Sequence, residues 1–222
     1  MKKYKILISL TGDNTNHWKN QLKEINNLKI NEIALFLECY SYNERKKIYL
    51  SLKKSCVKSI PLIHIRNDMS KKELIYLEKT YKPVCYTIHE SSFRYLGGWN
   101  GFYPKLYLEL NYDNKIPKNV QIEKIGGFCV DISHFQSAKK RKSREYYYTI
   151  KHRKNKFLFL CNHINGYDPK NKRDIHTITS LRDFNYLKKI PGFIFGEIMA
   201  IETENSIEEQ LKFREHIIRI LK

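Results

Sequence analysis

No CxxC pair occurs in the 222 residues, and the cysteines number five, an odd count. Cys39, Cys56, Cys85, Cys129 and Cys161 are scattered, and three of them lie inside apolar runs. This excludes a disulfide framework and points to reduced thiols in an intracellular, cytoplasmic setting. Long hydrophobic runs are also missing. Nothing approaches the roughly 20 apolar residues of a membrane span, so no membrane partner is expected. The opening MKKYKILISLTGDN is basic and then apolar, like a signal peptide. Its apolar part is too short for one and runs into polar Thr11-Gly12-Asp13-Asn14. No internal repeat or low-complexity linker divides the chain, which therefore reads as one domain over residues 1–222.

Acidic residues are scarce. Asp and Glu total 23 against 41 Lys and Arg, a formal net charge of +18, and the pI is about 9.6. Such a surplus favours polyanionic partners, a phosphate-containing substrate or DNA among them, although an A/T-biased genome would leave the same imprint. The hydrophobic fraction of 41% is ordinary for a folded chain. The length suffices for a sizeable core and sits at the lower end for an eight-stranded α/β barrel.

What is present is a recurring pattern. In residues 126–135, GGFCVDISHF, a short apolar run stops abruptly at Asp131, with His134 three residues on. Seven other apolar runs share the character of buried strands: residues 5–10, 33–38, 60–65, 84–90, 106–111, 157–165 and 193–202. Helical periodicity fills most intervals, over residues 17–28, 43–55, 70–81, 137–154, about 177–190 and 206–221. Capping boxes open two of these helices, Ser70 with Glu73 and Ser206 with Glu209. Residues 91–104 and 112–124 are too short or too polar for full helices. Eight strands alternating with helices predict an α/β fold, a single-domain (β/α)8 TIM barrel with shortened fourth and fifth crossovers.

In such a barrel all the strand C-termini meet at one face. Those ends carry His64, His89, Glu109, Asp131 with His134, His163, and Glu202, and the loop after the seventh strand adds Asp174 and His176. Glu197 rivals Glu202, but Glu202 follows Ile198-Met199-Ala200-Ile201 and precedes a short loop. Imidazole and carboxylate without thiolate suit Zn²⁺, Mn²⁺ or Fe²⁺. Nine ligands exceed the need of one ion, so one to three ions are expected. Clustered ions would serve phosphodiester hydrolysis by metal-activated water. A single ion on Glu109, Asp131, His163 and Glu202 would serve an enediol or hydride shift on a sugar, with Glu109 and Glu202 as catalytic acid and base.

The pattern resembles the xylose isomerase-like TIM barrels, which include sugar isomerases and epimerases and endonuclease IV. VDISHF resembles the strand-end D-x-x-H of that group, CNHIN its seventh-strand H-x-N, and DFNYLKKIPGFIFGEIMAIE the approach to its last metal-binding glutamate. The resemblance places Glu109, Asp131, His163 and Glu202 at the single-metal tetrad of the isomerases. It places His64, His89, His134, Asp174 and His176 at the remaining positions of the three-zinc set of endonuclease IV. It therefore implies a metal-dependent hydrolase acting on abasic-site DNA or another phosphate ester, with zinc. The alternative is a sugar or sugar-phosphate isomerase or epimerase with Mn²⁺ or Mg²⁺. Gly166 replaces an acid common after H-x-N, and the loops that endonuclease IV inserts into DNA are not recognisable.

Two basic clusters are candidates for phosphate binding at the same face. One is Lys139, Lys140, Arg141, Lys142 and Arg144; the other is Lys170, Lys172 and Arg173. Lys53, Lys54, Lys79, Lys82, Lys188 and Lys189 are expected near the opposite face.

Overall fold

The computed structural model describes residues 4–12 and 17–222. Met1–Lys3, and Asp13 and Asn14 of the leader-like opening, lie outside the described residues. The first apolar run forms β1 (Lys5–Leu7) and β2 (Ser9–Leu10), which are two halves of one strand interrupted at Ile8. β3 (Ala34–Phe36), β4 (Leu62–His64), β5 (Cys85–His89), β6 (Leu106–Glu109), β7 (Gly127–Asp131) and β8 (Phe159–Ile164) follow. β9 (Gly166–Asp168) and β10 (Arg173–Ile175) make a separate antiparallel hairpin, and β11 (Ile198–Ile201) is the last strand. β1 pairs with β11 and β2 pairs with β3, every barrel pairing being parallel. The ends of the sheet are thus contiguous pieces of one strand, and the sheet closes on itself. This is the eight-stranded α/β barrel read from the sequence.

The outer layer consists of α1 (His17–Asn27), α2 (Tyr42–Lys53), α3 (Lys71–Tyr81), α4 (Ile132–Arg141), α5 (Arg144–Lys151) and α6 (Ile207–Leu221). The capping boxes at Ser70 and Ser206 both form, each hydroxyl accepting from the backbone N–H three residues on. The two shortened crossovers are a 3₁₀ run over Glu90–Trp99 and a loop ending in a single 3₁₀ turn, Ile122–Lys124.

Three elements differ from the sequence expectation. The basic helix expected over residues 137–154 is two helices. Lys142 takes φ 53°, ending α4, and the chain restarts at Ser143. The expected helix near 177–190 is a 3₁₀ run, Leu181–Lys189. The polar loop after β8 carries the β9–β10 hairpin, because Gly166, Tyr167 and Asp168 alternate against Ile175, Asp174 and Arg173.

Alternation along each strand separates two cores. Outward residues such as Leu35, Ile63, Tyr86, Ile88, Leu108 and Met199 pack under the helices. Inward residues, among them Leu7, Leu62, Cys85, Tyr107, Cys129, Cys161 and Ile198, fill the lumen. Cys85, Cys129 and Cys161 are buried thiols of that lumen layer. Gly127 has φ +140°, and a Cβ there would collide with the Leu158 carbonyl, so glycine lets β7 start hard against the segment preceding β8.

One buried ion pair clamps α2 to α3. The Arg45 side chain is 0% exposed. Its Nε and Nη2 donate to the two oxygens of Glu73 at 3.0 Å each, and Nη1 donates to Tyr40 O at 2.8 Å and Asp68 Oδ1 at 2.9 Å. Glu73 is also the N3 residue of the α3 capping box, so both helix starts are fixed through one carboxylate. Arg45→Met is expected to lower the unfolding free energy by about 3 kcal/mol in guanidinium titrations, because it leaves the Glu73 carboxylate buried and unpaired. Arg45→Met/Glu73→Leu should recover most of that loss; a single-variant loss below about 1 kcal/mol would mean that the pair behaves as a surface bridge.

Candidate metal centre in the barrel mouth

Each strand-borne candidate lies two residues beyond a residue that points into the lumen. His64 follows Leu62, His89 follows Thr87, Glu109 follows Tyr107, Asp131 follows Cys129, His163 follows Cys161 and Glu202 follows Ala200. A period of two therefore aims all of them inward at the C-terminal mouth. The register levels them, with His89 opposite Glu109 and Asp131 opposite His163. His163 reaches this position through a bulge. Phe128 pairs with Phe159 but Cys129 pairs with Cys161, leaving Leu160 as an extra residue. Phe159 faces the outer core and Cys161 the lumen although they are two apart, because the bulge flips the parity. Glu197 is exposed before β11, while Glu202 is buried just beyond it.

The described residues contain three groups whose potential ligand atoms all lie within 4.8 Å of one another: Glu109, Asp131, His163 and Glu202; His64, Glu109 and His163; and Glu38, His64 and Glu202. The first group is the tetrad marked out from the sequence. His163 Nδ1 stands 3.0 Å from Glu109 Oε2 and 3.4 Å from Glu202 Oε2. Even so, His163 Nδ1, Glu109 Oε2 and Glu202 Oε2 are all buried without a hydrogen-bond partner, as are both nitrogens of His64 and Glu38 Oε2. Buried polar atoms left unpaired are costly. Here they converge on one point, and a divalent cation would satisfy them together. The residues therefore fit a metal.

Supporting contacts orient the ligands. Thr87 Oγ1 lies 3.3 Å from His163 Nε2 across the lumen, which leaves Nδ1 for the centre. Phe36 packs edge-on against His163 at 4.8 Å between ring centroids. Asp131 Oδ1 accepts from the His134 N–H at 2.8 Å, capping α4, and from Ser133 Oγ at 2.8 Å. Asp131 Oδ2 accepts from Asn165 Nδ2 at 2.9 Å.

The remaining candidates flank this centre. The His89 ring is 4.7 Å from the His64 ring, and its Nδ1 is buried and unpartnered. His134 Nε2 is 3.9 Å from both Asp131 Oδ2 and Asp174 Oδ2, and His176 Nε2 is 2.8 Å from Asp174 Oδ2. The Tyr112 hydroxyl donates to the other Asp174 oxygen. Asp174 reaches this position because the hairpin places it opposite Tyr167. His89, His134, Asp174 and His176 belong to none of the three tight groups.

Proton affinities follow from this crowding. Burial alone would raise the Glu109 carboxyl, but the positive charge of His163 and His89 outweighs it and holds Glu109 well below the usual range. Burial depresses His64, aided by the neighbouring imidazoles, so its ring is neutral and ready to ligate. Burial, with the Glu202 charge, pushes Glu38 up to about 8. Burial likewise raises Asp131. His134 and His176 are each raised to about 10. Burial opposes the rise in both, but Asp131 with Asp174 for the first, and chiefly Asp174 for the second, overcome it. Binding of a cation by these groups would displace any proton they carry.

Three participants have no place in the sequence reading, Glu38, Thr87 and Tyr112, and Asn165 enters it only as the asparagine of the H-x-N segment. Glu38 could have been found, since it ends the run IALFLE and continues the inward alternation of Ala34 and Phe36. The others are visible only across strands or in the hairpin. Of the eight residues in the two basic clusters, Lys140 and Lys172 line one cleft, together with Lys188 and Lys189, which were expected on the opposite face. Lys139, Arg141, Lys142, Arg144, Lys170 and Arg173 do not line it. The break at Lys142 turns α5 away, and Arg173 lies on the exposed edge of the hairpin.

No protein-family model matches the chain, and no curated protein does. The solved crystal structure of a D-tagatose 3-epimerase-like protein matches with a TM-score of 0.55 at 12% identity, covering 97% of each chain. At that identity the likeness is one of fold, along the whole length. It supports the eight-stranded α/β barrel and does not single out a family within that fold.

Proposed function

We propose that the chain is a divalent-metal-dependent isomerase or epimerase acting on a sugar or sugar phosphate. The observation that carries this reading is the convergence of two carboxylates, Glu109 and Glu202, with Asp131 and His163 in the buried mouth. Beside it lies an opening of about 630 Å³ lined by Glu38, Arg66, Asn67, His89 and Tyr95, room for a monosaccharide among polar side chains. The structural neighbour is an epimerase-like protein, and this favours the alternative over the hydrolase expected first from the sequence.

An ion held by the tetrad would supply positive charge at the substrate's carbonyl and hydroxyl oxygens and so acidify the adjoining C–H. Glu109, kept ionised by His163, is suited to accept that proton. Glu202, beside the same centre, is placed to return one. Two carboxylates rather than one permit removal from one face of the carbon and delivery to the other, which inverts its configuration.

A second reading rests on a specific observation. His134, Asp174 and His176 adjoin the tetrad through Asp131, supplying more imidazoles and carboxylates than one ion uses. This arrangement favours a phosphodiester hydrolase with two or three zinc ions, on abasic-site DNA or another phosphate ester.

Two measurements separate the readings. In deuterated water, Mn²⁺-loaded protein should incorporate solvent hydrogen next to the carbonyl of a ketose. Glu109→Gln and Glu202→Gln should each slow that exchange by roughly 10²–10⁴-fold. No exchange with any ketose or ketose phosphate, alongside nicking of abasic DNA, would sink the isomerase. Elemental analysis of Asp174→Ala/His176→Ala should find the ion content unchanged for the isomerase, whereas the hydrolase should lose an ion.

A further inference from the structure

Helix α4, the β9–β10 hairpin and the 3₁₀ run Leu181–Lys189 enclose a cleft of about 570 Å³ on the flank of the barrel. Five cationic side chains line it: Lys140, Lys172, Arg182, Lys188 and Lys189. Among the described residues none of the five makes an ion pair. The cleft's one acidic residue, Asp183, is committed elsewhere, accepting the Ser180 N–H at 3.1 Å as part of its own helix cap. Like charges gathered around a concavity repel one another unless an anion neutralises them.

A second observation points to a ligand. Tyr167, 4% exposed, lines the same cleft, and its hydroxyl is buried with no hydrogen-bond partner. This hydroxyl does not belong to the metal centre. A phosphate monoester carries close to two charges and three acceptor oxygens, which suits several ammonium donors, a planar guanidinium and a phenolic O–H. A lone carboxylate would match one of the five charges, where a phosphate monoester matches about two.

We infer that this cleft binds the phosphoryl group of a phosphorylated ligand. The cleft is coupled to the centre through two hydrogen bonds: Tyr186 of its wall donates to Asn165 O at 3.0 Å, and Asn165 Nδ2 donates to Asp131 Oδ2 at 2.9 Å. It thus lies on the flank of the barrel, one residue, Asn165, away from Asp131. The inference concerns binding alone and stands whichever reading of the metal centre holds.

Calorimetric titration with inorganic phosphate, pyrophosphate and a single-stranded oligonucleotide tests it, at about 50 and 200 mM salt. Wild-type protein should bind at least one of the three, more weakly at higher salt. Arg182→Ala/Lys188→Ala should weaken that binding at least tenfold, and Tyr167→Phe roughly threefold or more, with metal content unchanged. Because Arg182 and Lys188 are exposed, the double variant should melt within a few degrees of wild type. If it does not, Lys172→Ala at the hairpin tip replaces it, with the same direction of effect. Variant-sensitive binding of the inorganic probes identifies a small phosphorylated ligand; variant-sensitive binding of the oligonucleotide alone identifies backbone phosphates; both support the cleft. Binding that the variants leave at wild-type strength, or no binding of any probe at low salt, would overturn it.

Discussion

Parity along the closed barrel is the constraint on which the centre depends. Every second residue of a strand faces the lumen, and closure gives all eight strands a common interior. An apolar or thiol residue at one inward position and a ligand at the next therefore build two stacked layers. Leu62, Tyr107, Cys129, Cys161 and Ile198 contribute to the packed floor, and His64, Glu109, Asp131, His163 and Glu202 stand above it. A slip of one residue in any strand would turn its ligand into the outer core. The bulge at Leu160 shows how tightly parity is held, since without it His163 would face the helices.

The floor has an electrostatic consequence. It seals the lower lumen against water, so the ligands above it are buried and charge–charge interactions there are strong. Acids and imidazoles compensate one another only in part. Against burial, Cys129 and then Glu109 favour the charged form of His163, and His163 favours ionised Glu109, while Glu38 is pushed toward its neutral form and His64 is kept neutral. A site with this many unsatisfied buried atoms is a weak point in the apo fold and a strong point once a cation is bound. The outer layer contributes rigidity elsewhere, as with Arg45, whose guanidinium joins α2, α3 and the Tyr40 carbonyl.

The fold and the candidate ligands were legible for the same reason: residues at inward strand ends announce themselves as apolar runs stopped by an acid or histidine. Glu38 obeys that rule and belongs with them. The crossovers were less legible. Residues 137–154 carry continuous helical periodicity, yet a left-handed Lys142 breaks them in two. Residues 166–175 look like a polar loop, because a hairpin of three-residue strands has too few positions to show alternation. Lys188 and Lys189 were expected near the opposite face while their segment read as an α-helix; they instead line the cleft with Lys140 and Lys172, on a 3₁₀ run.

The sequence by itself determined the barrel, its two short crossovers, and the tetrad Glu109, Asp131, His163 and Glu202. Period and punctuation are local properties, and they survive without coordinates. Tertiary structure alone decided which lone pairs converge, that Asn165 and Thr87 orient Asp131 and His163, that Asp174 is carried on a hairpin, and that five cations share one cleft. Those facts depend on register between strands distant in sequence, and a one-residue bulge is enough to change them.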